Sequence, residues 1–410
     1  MSEIETVIIG AGQAGLTMSH CLTQRGRPHV VLERHRIAER WRTERWDSLR
    51  FQFPNWAMRL PDFAYAGDDP DGYAPRDDVV RFIESYAGFI HAPIRTGVEV
   101  RALYSTSDGF RLDTGEAAIK ARNVVIATGP YQQPAIPAAA AGLGAVFQIS
   151  ASAYRNPSQL PSGGVLVVGA GASGCQIAEE LMRSGRTVYL SVGPHRRVPR
   201  RYRGRDIIWW INALGLDEKI TDEHATRQAP LLISGADGGR TVDLREFAAS
   251  GMVLLGRLQD ARDGVASLAP DLAGNLAAGD ENYAGFIRSA DAYAADAGLL
   301  LPEESVASAQ PGLAIDPILT LDLRAAGVET VIWATGYRYD FDWIDLDVFA
   351  HSGDPRVRTP IHRRGVTSVP GVYFLGLPFL HKTKSSFLSG VGDDAGHLAE
   401  QIVARNREAG

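Results

Sequence analysis

The run TVIIGAGQAG at residues 6–15 decides the fold. Thr6-Val7-Ile8-Ile9 is a short apolar strand, the glycines follow at once, and Leu16, Cys21 and Leu22 give residues 16–25 the spacing of a helix face. Gly10 permits the turn, Gly12 lets the backbone approach a pyrophosphate, and Gly15 lets helix and strand pack closely. The helix start adds unpaired N–H groups and the positive end of a dipole. A second strand, His29-Val30-Val31-Leu32, ends at Glu33, roughly twenty residues downstream, where an acid takes the hydroxyl pair of a ribose.

The pattern recurs. Val165-Leu166-Val167-Val168 leads into GAGASG at residues 169–174, residues 175–183 read as a helix, and Thr187-Val188-Tyr189-Leu190 as the next strand. That strand ends at Ser191, with no carboxylate to repel a phosphate. His195, Arg196 and Arg197 follow, and Arg200, Arg201, Arg203 and Arg205 continue the basic run. A ribose 2′-phosphate is accommodated better there than a bare ribose, so the second unit is expected to take NADPH in preference to NADH.

A chain of 410 residues corresponds to roughly two to three domains, and 45% hydrophobic content is ample for a large core. The net charge of −6 argues against general nucleic-acid binding. No apolar run reaches membrane-spanning length, and the first strand begins too near Met1 for a signal peptide, so a cytoplasmic enzyme is expected. The two cysteines, Cys21 and Cys175, each fall inside the helix after a glycine loop and form no CxxC pair. A dithiol for disulfide reduction is therefore missing. The histidines show no HExxH run, there is no cysteine cluster, and no metal site is expected.

Two further strands end alike, in Ala127-Thr128-Gly129 and Ala334-Thr335-Gly336. Residues 98–104, 110–113 and 119–122 alternate like a three-stranded antiparallel meander. Proline-bearing stretches at 130–137 and 156–164 read as linkers flanking the second glycine loop. Residues 244–297 read as a helical insertion. The expected fold is α/β: two Rossmann-like dinucleotide-binding domains, the second inserted into the first, with the meander and the insertion added. The expected boundaries are 1–158, 159–330 and 331–410.

At this point the chain resembles the class B flavin-dependent monooxygenases, the group that includes YUCCA-type enzymes and related bacterial flavoproteins. The features that carry the resemblance are GAGQAG with Glu33, Trp41-Arg42, Trp46 to Arg50, GAGASG, both ATG segments, Gly376-Leu377 and Gly390 to Asp394. It implies FAD in the first domain and NADPH in the second. One segment departs from the group's FxGxxxHxxx(Y/F/W) motif. Aligned on Tyr154, it has Ser150 for the histidine, Val146 for the glycine and Gly144 for the phenylalanine.

Residue reading and resemblance together assign FAD to Gly10, Gly12, Gln13, Ala14, Gly15, Glu33, Arg34, Trp41, Arg42, Val100, Ala127, Thr128, Gly129, Gly376, Leu377, Gly390 and Val391. NADPH is assigned to Gly169, Gly171, Ala172, Ser173, Gly174, Ser191, Arg196, Arg197, Ala334, Thr335 and Gly336. Asn55 is the candidate catalytic residue, with a turn as its alternative role. Trp209, Trp210, Phe374, Phe379, His381 and Phe387 are candidates to line a substrate pocket, and Lys382 and Lys384 read as exposed loop lysines.

The resemblance implies transfer of one oxygen atom from O2 to nitrogen, sulfur or a carbonyl-bearing carbon of a small organic substrate, through a flavin hydroperoxide. An FAD-dependent NAD(P)H oxidoreductase without oxygen transfer and a redox-sensing regulatory flavoprotein remain as alternatives. The expected partners are the small substrate and O2, with neither nucleic acid nor membrane, and a homodimer is left open.

Overall fold

Strand β1 (Glu3–Ile9), helix α1 (Gln13–Gln24) and strand β2 (His29–Glu33) form the first nucleotide unit. They are followed by β3 (Ile94–Thr96), β4 (Ala102–Thr106), β5 (Gly109–Asp113) and β6 (Ala118–Ile126). The chain then builds a second unit from β7 (Phe147–Ser150), β8 (Gly164–Val168), α2 (Ala172–Arg183), β9 (Val188–Ser191), α3 (Ile207–Ala213) and α4 (Leu244–Ala249). It continues with β10 (Val253–Leu255), β11 (Leu258–Arg262), β12 (Val265–Leu268), α5 (Leu272–Asp296), β13 (Thr320–Asp322) and β14 (Val328–Trp333). It returns to the first unit with β15 (Ile344–Asp345), β16 (Val372–Phe374) and α6 (Val391–Glu408). The computed structural model describes residues 3–115, 117–220, 229, 231–304, 317–350 and 358–408.

The first sheet runs β15-β4-β5-β6-β1-β2-β3, with β16 on the C-terminal half of β6; the second runs β7-β14-β8-β9-β10. Their parallel cores share one plan. β1 lies between β2 and β6, and β8 lies between β9 and β14, all parallel. Val7, Ile8, Val124 and Val125 in the first sheet, and Val165, Leu166 and Val167 in the second, are fully buried. Continuous apolar runs of this kind belong to parallel strands covered on both faces. The sequence order of the strands reverses at each central strand, which places a crevice at the C-terminal strand ends.

The structure refines several expectations. The meander is present as β4-β5-β6, but its third strand and the return strand toward Gly129 are one continuous strand. The stretch 244–297 is not wholly helical: between α4 and α5 it carries β10, β11 and β12. With β13, strands β11 and β12 form a second antiparallel meander, interrupted by α5. The sheets also divide the chain differently from the expected 158/159 and 330/331 boundaries. Phe147–Ser150 already belongs to the second sheet, and β14 runs across residue 330.

A buried polar cluster ties the two units together. Arg200, 2% exposed, donates to Asp206 Oδ2 at 2.8 Å, to the Tyr73 hydroxyl at 3.0 Å and to the Gln52 carbonyl at 2.7 Å. The chain's crossings between units also pair, Tyr337-Arg338 running antiparallel to Gln133-Pro134.

Candidate active site

The glycine loop between β1 and α1 leaves the helix without a side-chain cap. Leu16 N–H reaches Gly12 O at 3.1 Å, so the N–H groups before it have no partner within the helix. A cavity of about 950 Å³ opens over this loop, lined by Gly10, Gly12, Gln13 and Ala14. On the β2–β3 side of β1 its lining includes Glu33, Arg34 and Val100; on the β6–β16 side it includes Ala127, Thr128, Gly129 and Gly376. The cavity thus crosses the strand ends of the whole parallel core. Trp41 and the buried Trp46 also line it.

Backbone geometry fits an extended dinucleotide here. Gly10 has φ of 109°, and a Cβ on it would lie 2.6 Å from Ala127 O. A Cβ on Gly15 would lie 1.9 Å from Gly10 O, so Gly15 serves helix–strand packing rather than the lining. A Cβ on Gly12 would meet no protein atom within 4 Å: the space over it is open. Glu33 is held by the loop, Oε2 accepting from Ala11 N–H at 2.8 Å and Oε1 from His35 N–H at 2.9 Å. Each oxygen keeps acceptor capacity for a ribose hydroxyl.

Other assigned residues lie elsewhere. Arg42 pairs with Glu84 and donates to Ile37 O at 3.3 Å, away from the cavity lining. Leu377 lines a different cleft. Gly390 and Val391 line neither space; both N–H groups donate to Phe387 O, at 3.1 and 3.0 Å, as the turn into α6. The chain segment that does reach the cavity is Ser386-Phe387-Leu388. Asn55 is 5% exposed, donates to Asp69 O at 2.9 Å and lines neither cavity, which makes it a turn residue here.

A second, larger cleft of about 3100 Å³ lies next to the first. Six residues line both: Gln52, Phe53, Tyr131, Tyr337, Ser386 and Phe387. They form the passage between the two spaces. Phe53 and Phe387 meet edge to face with centroids 5.1 Å apart, as do Tyr131 and Tyr337 at 5.1 Å. Gln13, at the start of α1, donates to Ser386 O at 2.6 Å and so joins the passage to the glycine loop. Of the six only Phe387 carried a sequence signal as a pocket residue, because they come from four distant segments that only the fold brings together.

Phe379, His381 and Phe387 line the large cleft as expected for pocket residues, whereas Phe374 and Trp210 are core residues and Trp209 packs under Arg205. Lys384 is 9% exposed rather than a free loop lysine, and both it and Lys382 pair with Glu218 and Asp393.

Of the residues assigned to the second nucleotide, Ala172 and Arg196 line the large cleft, and Ser173 lines the first cavity instead. Gly169, Gly171 and Gly174 build a loop that repeats the first. A Cβ on Gly169 would fall 2.5 Å from Ala334 O and one on Gly174 1.8 Å from Gly169 O. Ala334, Thr335 and Gly336 line neither space; they shape the crossing, with the Thr335 hydroxyl on Ala135 O at 2.6 Å. Arg197 is neutralised by Asp243 and Asp280 and stacks on Tyr283. Burial lowers the Arg196 pKa, and its Nε donates to Ala229 O.

Strand register corrects the comparison of Glu33 with Ser191. Gly10 N–H donates to Leu32 O at 2.8 Å, and Gly169 N–H donates to Ser191 O at 3.1 Å. Ser191 therefore corresponds to Leu32, and Val192 stands where Glu33 stands. Ser191 is buried, its hydroxyl donating to Gly256 O and accepting from Leu258 N–H. The asymmetry survives with a different residue, since Val192 also offers no carboxylate.

Residues 7–212 match the pyridine nucleotide-disulphide oxidoreductase family. An uncharacterised CzcO-like oxidoreductase of Geobacillus kaustophilus is 34% identical over 404 residues, covering 98% of each chain. The chain belongs to the pyridine nucleotide-disulphide oxidoreductase family. It is a flavin-dependent oxidoreductase that uses a nicotinamide dinucleotide. A probable indole-3-pyruvate monooxygenase, YUCCA1 of Arabidopsis thaliana, is 34% identical over 194 residues, 45% of this chain and 46% of its own. In structure, a flavin-containing monooxygenase from Stenotrophomonas maltophilia shares the fold with a TM-score of 0.67 at 18% identity, over 99% of both chains.

Within a family named for disulphides, the thiols of this chain lie outside the site. Cys21 and Cys175 line neither cavity; burial pushes Cys21 up to about 11 against the pull of Arg25, and Cys175 up to about 12. Both are thiols rather than thiolates at neutral pH. Among the described residues no group of three or more His, Cys, Asp or Glu is placed to hold a metal, and no helix is long and apolar enough to cross a membrane.

Proposed function

We propose that the protein is an NADPH-dependent FAD monooxygenase that places one oxygen atom of O2 on nitrogen, sulfur or a carbonyl-bearing carbon of a small organic substrate. The observation that carries this reading is the six-residue passage between the cavity over the first glycine loop and the large cleft. FAD bound over Gly12 supplies the electron relay from NADPH to oxygen. The residues of the chain do the rest. The start of α1 and Glu33 fix the dinucleotide, and Phe53, Phe387, Tyr131 and Tyr337 wall the passage with aromatic surface. Gln52 lines both spaces, and an amide side chain is suited to hydrogen-bond a reacting oxygen. NADPH rather than NADH is favoured because Val192, in the place of Glu33, leaves a 2′-phosphate unopposed.

Walls of Ile207, Ile208, Phe286 and Phe379 beside Arg358 and Arg364 suit an apolar substrate with a polar or anionic end. The test is turnover under 18O2 with NADPH and three probes: indole-3-pyruvate, methyl phenyl sulfide and N,N-dimethylaniline. One labelled oxygen in a product supports the proposal. NADPH oxidation that yields only stoichiometric hydrogen peroxide with every probe supports the second reading, an oxidoreductase without oxygen transfer. That reading draws on Tyr131, 46% exposed at the passage, which admits water where oxygen transfer needs shelter.

A further inference from the structure

Given that the second unit holds a nicotinamide dinucleotide, as proposed above, a group of that unit selects between its phosphorylated and unphosphorylated forms. The arginines expected to make that choice are otherwise engaged. Arg197 lies between two carboxylates, and Arg196 donates to the Ala229 carbonyl on the side of the large cleft. His195 is 4% exposed, with its Nδ1 3.0 Å from Gly193 O and its Nε2 against Gly279 of α5.

The internal repeat points to a different arginine. With Val192 in the place of Glu33, Gly193 stands in the place of Arg34, which lines the first nucleotide cavity. Gly193 has no side chain to extend toward a ligand. Across it runs the stem of Arg257, with Cγ and Cδ lying 3.4 and 3.5 Å from where a Cβ on Gly193 would be. Arg257 follows β10, the strand paired with β9, by two residues, so the chain leaving the neighbouring strand carries an arginine stem across the locus that Arg34 occupies in the first unit. The Arg257 side chain is 60% exposed. It is also spoken for in part: Nε donates to Asp271 Oδ2 at 2.5 Å, and Arg257 N–H donates to Asp271 Oδ1 at 3.0 Å.

We propose that Arg257 reads the ribose 2′-phosphate at the second unit, and that Asp271, one residue before α5, competes with the phosphate for it. A planar guanidinium gives a phosphate two parallel charge-assisted hydrogen bonds, which a carboxylate at the same fork also claims. The NADP-to-NAD preference of this chain is therefore set by the Arg257–Asp271 pair, and it is weaker than an unguarded arginine would give.

The test is calorimetric titration of the purified, FAD-loaded protein with NADP⁺ and, separately, NAD⁺. Arg257→Gln is expected to weaken NADP⁺ by about tenfold to a hundredfold, the size of one or two charged hydrogen bonds, and to leave NAD⁺ within about twofold. Asp271→Asn is expected to tighten NADP⁺ several-fold and leave NAD⁺ unchanged. Arg257→Lys, which keeps the charge without the fork, is expected to fall between. Equal loss of both dinucleotides, no loss of either, or a selective loss in Arg197→Gln instead would overturn the assignment while leaving the two-cofactor reading intact. Failure of the unaltered protein to bind either dinucleotide would overturn that reading, and the assignment with it.

Discussion

Gly12→Ala separates folding from cofactor binding at the first glycine loop. Gly12 has φ −88° and ψ −173°, extended backbone that alanine adopts freely, and its added Cβ would meet no protein atom within 4 Å. Without cofactor the variant is expected to be as stable as the parent or more so by ~0.4–1 kcal/mol, because alanine has fewer unfolded conformations to lose. With FAD the sign reverses. A methyl group forced into close-packed contact with the pyrophosphate costs ~1–3 kcal/mol, which raises Kd about 5- to 150-fold. At an FAD concentration of 100 parental Kd, binding stabilises the parent by ~2.7 kcal/mol, and a variant with a hundredfold higher Kd retains only ~0.4 kcal/mol. Calorimetric melting with and without FAD, joined to a fluorescence titration of apoprotein, reads both quantities. Gly15→Ala is the contrasting control. Its Cβ would sit 1.9 Å from Gly10 O, so it is expected to destabilise the apoprotein itself by ~1–3 kcal/mol. If Gly12→Ala binds FAD within twofold of the parent, no pyrophosphate crosses Gly12 and the placement of FAD is wrong.

Three further outcomes follow from the same geometry. Arg200→Met leaves Asp206, only 9% exposed, without its cation and is expected to cost ~3–5 kcal/mol in urea unfolding; Arg200→Met with Asp206→Leu recovers much of it. Burial lowers the pKa of His195 below 6.5, so as pH falls through 6.5 the unfolded chain gains a proton that the folded chain refuses. Stability is therefore full above pH 6.5 and declines toward acid, and His195→Gln is expected to flatten that decline in pH-dependent thermal melts. Gln52→Leu is expected to keep its FAD content while shifting NADPH oxidation toward hydrogen peroxide by about tenfold, measured as peroxide formed per NADPH consumed.

The nucleotide loops were legible in the sequence because everything they need is local: a strand, three glycines at fixed spacing and a helix start. What failed was non-local. Ser191 was paired with Glu33 because a strand's last residue cannot be read to within one position, and one position exchanges the rim of a site for its core. The second meander went unseen because α5 separates β12 from β13, leaving no hairpin spacing to detect. Gly390 and Val391 were correctly placed at a helix start, but the turn before α6 consumes their N–H groups on Phe387 O. Asn55 and Gln52 lie three residues apart on one loop, and only the path of the backbone decides which of them faces the passage.

The paired crossings, Gln133-Pro134 beside Tyr337-Arg338, have a consequence for the chain's modularity. Everything between them leaves and rejoins the host at neighbouring hydrogen-bonded residues, so the second unit is a cassette whose two ends already touch. A cassette of this kind can be exchanged between relatives at residues 133 and 338 without redesigning a linker. The reductant preference of such a chimera would travel with the cassette, while the flavin and the walls of Phe53 and Phe387 stayed with the host.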